Sequence, residues 1–245
     1  MAGHSKWANI KRQKARVDAK RGKTFTQLSR AIIVAARNGI ADPDGNFQLR
    51  TAIEKAKAAG VSNESIERSL AKGAGTYQDD DAILEEIRYE GYGAGGVAVL
   101  IEALTDNRNR TAAYLRSAFT KNGGNLGETG CVSWMFDRQG VVTLDPVDEE
   151  KLLEASMEGE ADTYEFYEDE GAEVFTSVDN LEHLNQTLQK YNFPIKEIEL
   201  RWIPNNSIEI TDPEQEKSLL KLIDTLESLD DVQNVTANFL ALDDE

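Results

Sequence analysis

Near residue 80 the hydrophobic period of the chain changes, and that change restricts the fold more than any other feature. Before it, apolar residues recur at helical spacing. After it, they mostly alternate, with single helical stretches between the alternating runs. Residues 26–38 place Leu28, Ile32, Ala35 and Ala36 on one stripe, with Gly39 read as a left-handed stop. A Pro43-Asp44-Gly45 turn leads to a second helix over 47–59, with Leu49, Ile53 and Ala56 inward and Gly60 as its stop. Ser62 caps a third helix, Glu64 sits in its positive first turn, Ile66 and Leu70 form its apolar pair, and Gly73 ends it. Stripes this narrow and Ala-rich make a thin bundle that leans on another part of the chain.

The alternating part begins with a strand over 83–92, where Ile87, Tyr89 and Gly91 alternate with Arg88 and Glu90. A more buried strand comes next at 97–104. Between them, Gly91-Tyr92-Gly93-Ala94-Gly95-Gly96 fits the pattern GxGxxG. A dinucleotide-binding turn needs a helix after its glycines, because the helix N-terminus holds the pyrophosphate. Here Val97-Ala98-Val99-Leu100-Ile101 comes after them, so the segment reads as a glycine-rich hairpin. A helix over 110–121 is broken by Gly123-Gly124-Asn125. Short strands are expected at 132–136 and 140–144 around an Asp137-Arg138-Gln139 turn. A helix at 148–157 and strands at 164–167 and 173–177 come next. Asp179 with Glu182 reads as a capping box for a helix bearing Leu181, Leu184 and Leu188. Residues 195–202 alternate, with Glu197, Glu199 and Arg201 opposite Ile198, Leu200 and Trp202. A short strand at 207–211, a helix opened by Asp212-Pro213 and a strand at 232–239 close the chain.

This pattern is α+β, with an N-terminal helical bundle and two split β-α-β sets, each ferredoxin-like. One set is built from 134–204. Residues 80–133 hold only two good strands, so the other set needs the C-terminal elements as well. The expected domains are therefore 1–79, the discontinuous 80–133 with 205–245, and an inserted 134–204.

Charge adds a second constraint. The 245 residues carry 27 Lys+Arg against 44 Asp+Glu, a net −17 at pH 7. As a sum this argues against nucleic acid, since like charge repels phosphate. The distribution reverses the argument. Residues 1–75 hold 15 basic and 6 acidic side chains, a net of +9, which leaves 76–245 at −26. In the first 23 residues, Lys6, Lys11, Arg12, Lys14, Arg16, Lys20, Arg21 and Lys23 face only Asp18, a net of +7. Residues 145–170 hold twelve acids and one base, Lys151.

Several chemistries lack support. One cysteine excludes an internal disulfide framework and a Cys-rich zinc module, and fits a reducing cytoplasm. His4 and His183 are far apart with no ligand-spaced Cys or acid, so no metal or other cofactor is expected. Motifs of serine hydrolases, zinc proteases and P-loops are missing. No run approaches the ~20 apolar residues of a membrane span, and the N-terminus has no apolar signal core. Cys131, before an apolar strand, reads as a small turn or core residue, because a nucleophile needs a nearby base. An enzyme with a small-molecule substrate is not expected.

The positive signal is the basic arm. Its cations can neutralise phosphates and release counterions, a salt-dependent and sequence-independent affinity. Trp7 offers a stacking face, and His4, Ser5 and Asn9 can bond phosphate or sugar. With few apolar residues, the arm can remain disordered until bound. The bland alternative is a solvated tail. Asn107-Arg108-Asn109-Arg110 is a second basic spot at a helix start, for which pairing with local acids is the competing reading. The strands lack the aromatic pattern of RNA-stacking sheets, and no base-reading helix-turn-helix is apparent.

The residues that carry these signals also resemble a known family. Met1-Ala2-Gly3-His4-Ser5-Lys6-Trp7, Asn9-Ile10-Lys11, Gly22-Lys23, Leu49-Arg50, Lys55-Ala56-Lys57, Ile66-Glu67-Arg68, Tyr89-Glu90-Gly91-Tyr92-Gly93, the run from Thr105 to Thr111, Asn122-Gly123-Gly124 and Trp134-Met135-Phe136 are similar to the YebC/PmpR family. Its mitochondrial relative is the translational activator of cytochrome c oxidase subunit I. The resemblance spans nearly the whole chain. It implies three domains, the third inserted in the second. It also implies one of two activities: transcriptional regulation at promoter DNA, or a translation factor on the ribosome that relieves stalling at proline-rich stretches. The chain departs from the family pattern at Ala94, Cys131 and Ile40-Ala41, and none of these removes a charge.

A body of −26 is repelled by an extended phosphate surface while a +7 arm is drawn in, so only one end can dock deeply. That favours rRNA or tRNA in a ribosomal cavity as the partner, with Arg108 and Arg110 as a second anchor. Promoter DNA is the alternative partner, and an acidic protein-interaction module using 145–170 a third. No membrane partner is expected.

Overall fold

The computed structural model describes residues 25–77, 84–167 and 170–240. In chain order the elements are α1 (Phe25–Arg37), α2 (Phe47–Ala58), α3 (Asn63–Gly73), β1 (Glu85–Tyr92), β2 (Ala98–Thr105), α4 (Arg108–Lys121) and β3 (Asn125–Leu126). Next come β4 (Phe136–Leu144), α5 (Glu149–Glu158), β5 (Thr163–Tyr167), β6 (Gly171–Thr176), α6 (Leu181–Lys190) and β7 (Ile195–Pro204). The chain then forms β8 (Ile208–Glu209), α7 (Pro213–Glu227), β9 (Val232–Ala237) and β10 (Phe239–Leu240). The fold is α+β, with N-terminal helices and two four-stranded antiparallel sheets.

The apolar stripes of α1, α2 and α3 meet in one small core that includes Leu28, Ile32, Leu49, Ile53, Ala56 and Ile66. Ser62 accepts from the Ser65 N–H and caps α3 as its residue type suggests. Asn46 joins α1 to α2. Its Oδ1 accepts from the Leu49 N–H at 3.0 Å, and its Nδ2 donates to the carbonyls of Ala35 and Ile40, each at 2.8 Å. This arrangement corrects the reading of Gly39, whose φ is not positive. The position needs a glycine for space: a Cβ there would lie 2.5 Å from Asn46 Nδ2. Gly60, with φ +88°, does take the left-handed conformation expected of it.

β1 and β2 form the glycine-rich hairpin, joined by a 3-10 turn at Ala94–Gly96. The sheet order is β3-β1-β2-β9, so the strand at the end of the chain completes a sheet begun by the hairpin. Val97, Val99 and Ile101 pack against Leu115 and Phe119 of α4 and Leu219, Leu222 and Leu226 of α7. These elements and the N-terminal helices belong to one compact unit. The two-residue strand β3 has no signal in the sequence, because the Gly123-Gly124 break hides it. Ile83 lies outside the described residues, and β1 begins at Glu85.

Phe136–Asn205 form a second compact unit. Its β-α-β-β-α-β chain makes a sheet of order β5-β6-β4-β7, the ferredoxin-like arrangement. Three local expectations fail here and just before it. The strand at 132–136 is instead a 3-10 turn at Ser133–Met135, and β4 runs unbroken from Phe136 to Leu144. The Val132 and Ser133 N–H groups are taken by the Glu90 carboxylate, so they cannot enter a ladder. The supposed Asp137-Arg138-Gln139 turn is paired with Ile203, Trp202 and Arg201 of β7. The Asp179–Glu182 capping box does not form either. The N-cap of α6 is Asn180, which makes no cap bond and donates its Nδ2 to the carbonyls of Gly159 and Glu160 and to Thr176 Oγ1.

Candidate nucleic-acid interface

The arm residues His4, Ser5, Lys6, Trp7, Asn9, Lys11, Arg12, Lys14, Arg16, Lys20, Arg21 and Lys23 lie outside the described residues. Arg108 and Arg110 are described, and the structure gives them different surroundings. Asn107 is the N-cap of α4: its side chain accepts from the Arg110 N–H at 3.0 Å, and its own N–H donates to Thr105 Oγ1 at 2.9 Å. This cap starts α4 at Arg108, two residues earlier than the apolar spacing predicts. Arg108 is exposed, and its side chain makes no hydrogen bond or ion pair among the described residues. Arg110 turns back. Its Nη2 meets Asp106 at 2.5 Å and Asp231 at 3.2 Å.

Asp231, just before β9, is the centre of this cluster. It accepts from Arg30 of α1 at 2.6 Å, from the Thr111 hydroxyl at 2.7 Å, and from Arg110. Thr105 Oγ1 also reaches it, at 3.3 Å. Burial pushes the Asp231 carboxyl up, but the Thr111 hydroxyl and the Arg30 and Arg110 guanidinium groups outweigh burial and hold it below its usual range. Around the cluster lies an open groove of about 500 Å³, lined by Thr26, Arg30, Arg110, Tyr114, Leu229 and Asp231 among others. Since α1 begins at Phe25, the chain enters the first helix at this groove.

Gln27 fastens α1 beside the same place. It is buried, and its Nε2 lies 2.9 Å from the Glu227 carbonyl and 3.2 Å from those of Leu229 and Val232. These carbonyls sit at the end of α7 and the start of β9, where helix acceptors lack partners within the helix. Here the thin bundle finds its support. Neither Gln27 nor Asp231 stands out in the sequence: their partners are about 120 to 205 residues away, and no local pattern signals such contacts.

The Asp231 contacts predict a stability effect. Asp231→Ala leaves the mostly buried Arg30 without its carboxylate, holding only the Asp230 carbonyl, at an expected cost of about 2–3 kcal/mol. A carboxyl with a depressed folded pKa stabilises above its unfolded value of ~3.9 and loses that contribution as pH falls through the folded value. Urea unfolding at pH 7 should therefore show the loss in full. The gap between the variant and the parent should narrow below about pH 4.

A second built feature lies on β1. Glu90 is 2% exposed and accepts from the backbone N–H groups of Gly130, Val132 and Ser133 at 2.8, 2.7 and 2.8 Å. Burial pushes this carboxyl up, but the three N–H groups outweigh burial and hold it low. The loop so clamped contains Cys131, whose carbonyl accepts from Tyr92 and from the exposed Trp134. Burial and the neighbouring Glu90 charge push the Cys131 thiol up, away from the reactive thiolate. His183 is exposed on α6. Among the described residues, no group of three or more His, Cys, Asp or Glu is placed to hold a metal ion. No described helix is long and apolar enough to cross a membrane.

Comparison with known proteins gives a consistent result over nearly the whole chain. Residues 5–76 match the model of the TACO1/YebC protein N-terminal domain, and residues 84–239 match that of the TACO1/YebC second and third domain. The chain is 78% identical over 243 residues to a "probable transcriptional regulatory protein" of Gloeothece citriformis, covering 98% of this chain and 95% of that one. It is 75% identical over 243 residues, with the same coverage, to a protein of the same description from Rippkaea orientalis. The crystal structure of a conserved hypothetical protein from Aquifex aeolicus is similar at a TM-score of 0.81 and 45% identity, covering 94% of each chain.

Proposed function

Because the chain belongs to the TACO1/YebC family, we propose that it is a nucleic-acid-binding regulator of gene expression that acts on RNA at the ribosome and relieves stalling at proline-rich stretches. The observation that carries this reading is the charge partition: a +7 arm over residues 1–23 on a chain whose residues 76–245 net −26. Such a chain offers chiefly its basic end to a phosphate surface, as suits a factor that inserts one end into a cavity of rRNA or tRNA. His4 to Lys23 make the main contact in this account. Arg108 adds an exposed cation, while a phosphate reaching Arg110 must compete with Asp106 and Asp231. The reading divides the chain into three domains, 1–79, 80–133 with 205–245, and 134–204, and assigns no catalytic residue. It places the protein in the cytoplasm.

The description borne by the two relatives favours a second reading, a regulator that binds promoter DNA. The two readings separate in a competition experiment. Under the first, the protein co-sediments with purified ribosomes at physiological salt, and excess promoter duplex does not displace it. Under the second, it leaves a promoter footprint that survives competitor DNA, because specific binding exceeds non-specific binding by about 10³-fold or more.

A further inference from the structure

We propose that the solvent face of α4 continues the arm's binding track and holds a single-stranded RNA backbone through Arg116 and Lys121, with Tyr114 as a stacking face. The inference rests on the nucleic-acid reading above and extends it to residues that no motif marked.

α4 has four basic residues, Arg108, Arg110, Arg116 and Lys121, and no acid, although residues 76–245 as a whole are strongly acidic. Its buried stripe is Thr111, Leu115, Ala118 and Phe119. Helical spacing then places Arg110, Tyr114, Ser117 and Lys121 in one row, at i, i+4, i+7 and i+11. The adjoining row is Asn109, Ala113, Arg116 and Thr120. Apart from the half-exposed Arg110, these residues are exposed. The face therefore combines cations, hydroxyls, an amide and a tyrosine that is 54% exposed. Neither the Arg116 nor the Lys121 side chain makes a hydrogen bond or ion pair among the described residues. A purely solvated helix in so acidic a chain has no need to exclude every carboxylate.

Position provides the second argument. The row begins in the groove shared by Arg110 and Tyr114 with Thr26 and Arg30 of α1. α1, which follows the basic residues 1–23 in the sequence, begins at that groove. From Arg110 to Lys121 the helix extends about 16 Å, enough to track several nucleotides. Cations on a backbone track with an aromatic for a base face are the parts of a single-strand site. Arg110 is already held by Asp106 and Asp231, so the track proper is Tyr114, Arg116 and Lys121.

The test uses the full-length protein and a 30-nucleotide mixed-sequence RNA, with binding measured across a salt series. Arg116→Gln/Lys121→Gln should lower the salt slope by about 1.4 and weaken binding roughly tenfold near 100 mM salt. Tyr114→Ala should weaken binding at least about fivefold with little change in slope. Unchanged thermal unfolding keeps these readouts interpretable, because all three side chains are outside the core. If the double variant keeps the parent's slope and affinity while an arm-less protein loses binding, the α4 inference is overturned and the functional reading stands. If neither change matters, both fail. A larger loss of slope on a 30-base-pair DNA duplex than on the RNA overturns the single-stranded assignment.

Discussion

Removing residues 1–23 is expected to weaken binding to purified ribosomes by about 100-fold or more near 100 mM salt. The segment carries eight of the 27 Lys+Arg in the chain. Each cation that neutralises a phosphate contributes about 0.7–0.9 to the slope of log affinity against log salt, and a site of 6–10 contacts gains several orders of magnitude in this way. The remaining residues, 24–245, net −24, so they have no general attraction to offer in exchange. Co-sedimentation over a salt series measures both quantities. The full chain should show a steep slope, and the shortened chain little binding to plot. If affinity and slope survive the truncation, the arm is a solvated tail.

The second large effect concerns stability in the inserted unit. Glu173 on β6 and Arg201 on β7 form an ion pair at 3.1 Å, with side chains only 5% and 9% exposed, and Glu199 also reaches Arg201. The register puts these residues opposite the sheet face that holds Gly140 against Leu181 of α6. Burial works against the Arg201 charge, but Glu199 and Glu173 more than offset it and push its pKa up. The arginine therefore stays charged, and Glu173→Ala leaves a buried cation short of a partner. The expected loss is about 2–3 kcal/mol, because Glu199 still pairs with Arg201. A Glu173→Met/Arg201→Met double variant should recover most of it, because removing both charges also removes the cost of burying them. Urea unfolding of the two variants checks this directly. A single variant within about 1 kcal/mol of the parent contradicts it.

The split of the chain into a helical start and alternating strands was legible because each period has a physical cause in the element it builds. The GxGxxG segment was resolved by the run of Val, Ala, Leu and Ile after it, which makes β2 and not a helix. The return of the C-terminus to the first sheet was legible as a shortage of strands in 80–133. Alternation also put Glu197, Glu199 and Arg201 on one face of β7, as the register has them, but gave no sign that Arg201 is buried there. The misses share one cause. Glu90 alternates like a solvent-facing acid, yet it is buried because a loop some 40 residues later brings three N–H groups to it. Gln27 looks like the polar edge of an amphipathic helix until the carbonyls ending α7 are beside it. Arg110 has two readings, an anion ligand or a partner of local acids; Asp106, four residues before it, meets the second, while Asp231 reaches it from 121 residues away and has no local signal. Side chains fixed by distant partners leave no trace in local spacing. The basic face of α4 was legible only in part: Arg108 and Arg110 stand out at its start, whereas Arg116, Lys121 and Tyr114 need the helix and its burial pattern to fall into rows.

The most direct test of the central claim is to crosslink the protein to nucleic acid in living cells, purify it, and sequence the attached strands. The account predicts ribosomal or transfer RNA, with crosslinked peptides from residues 1–23 and from α4. Recovery of promoter DNA in place of RNA would contradict it.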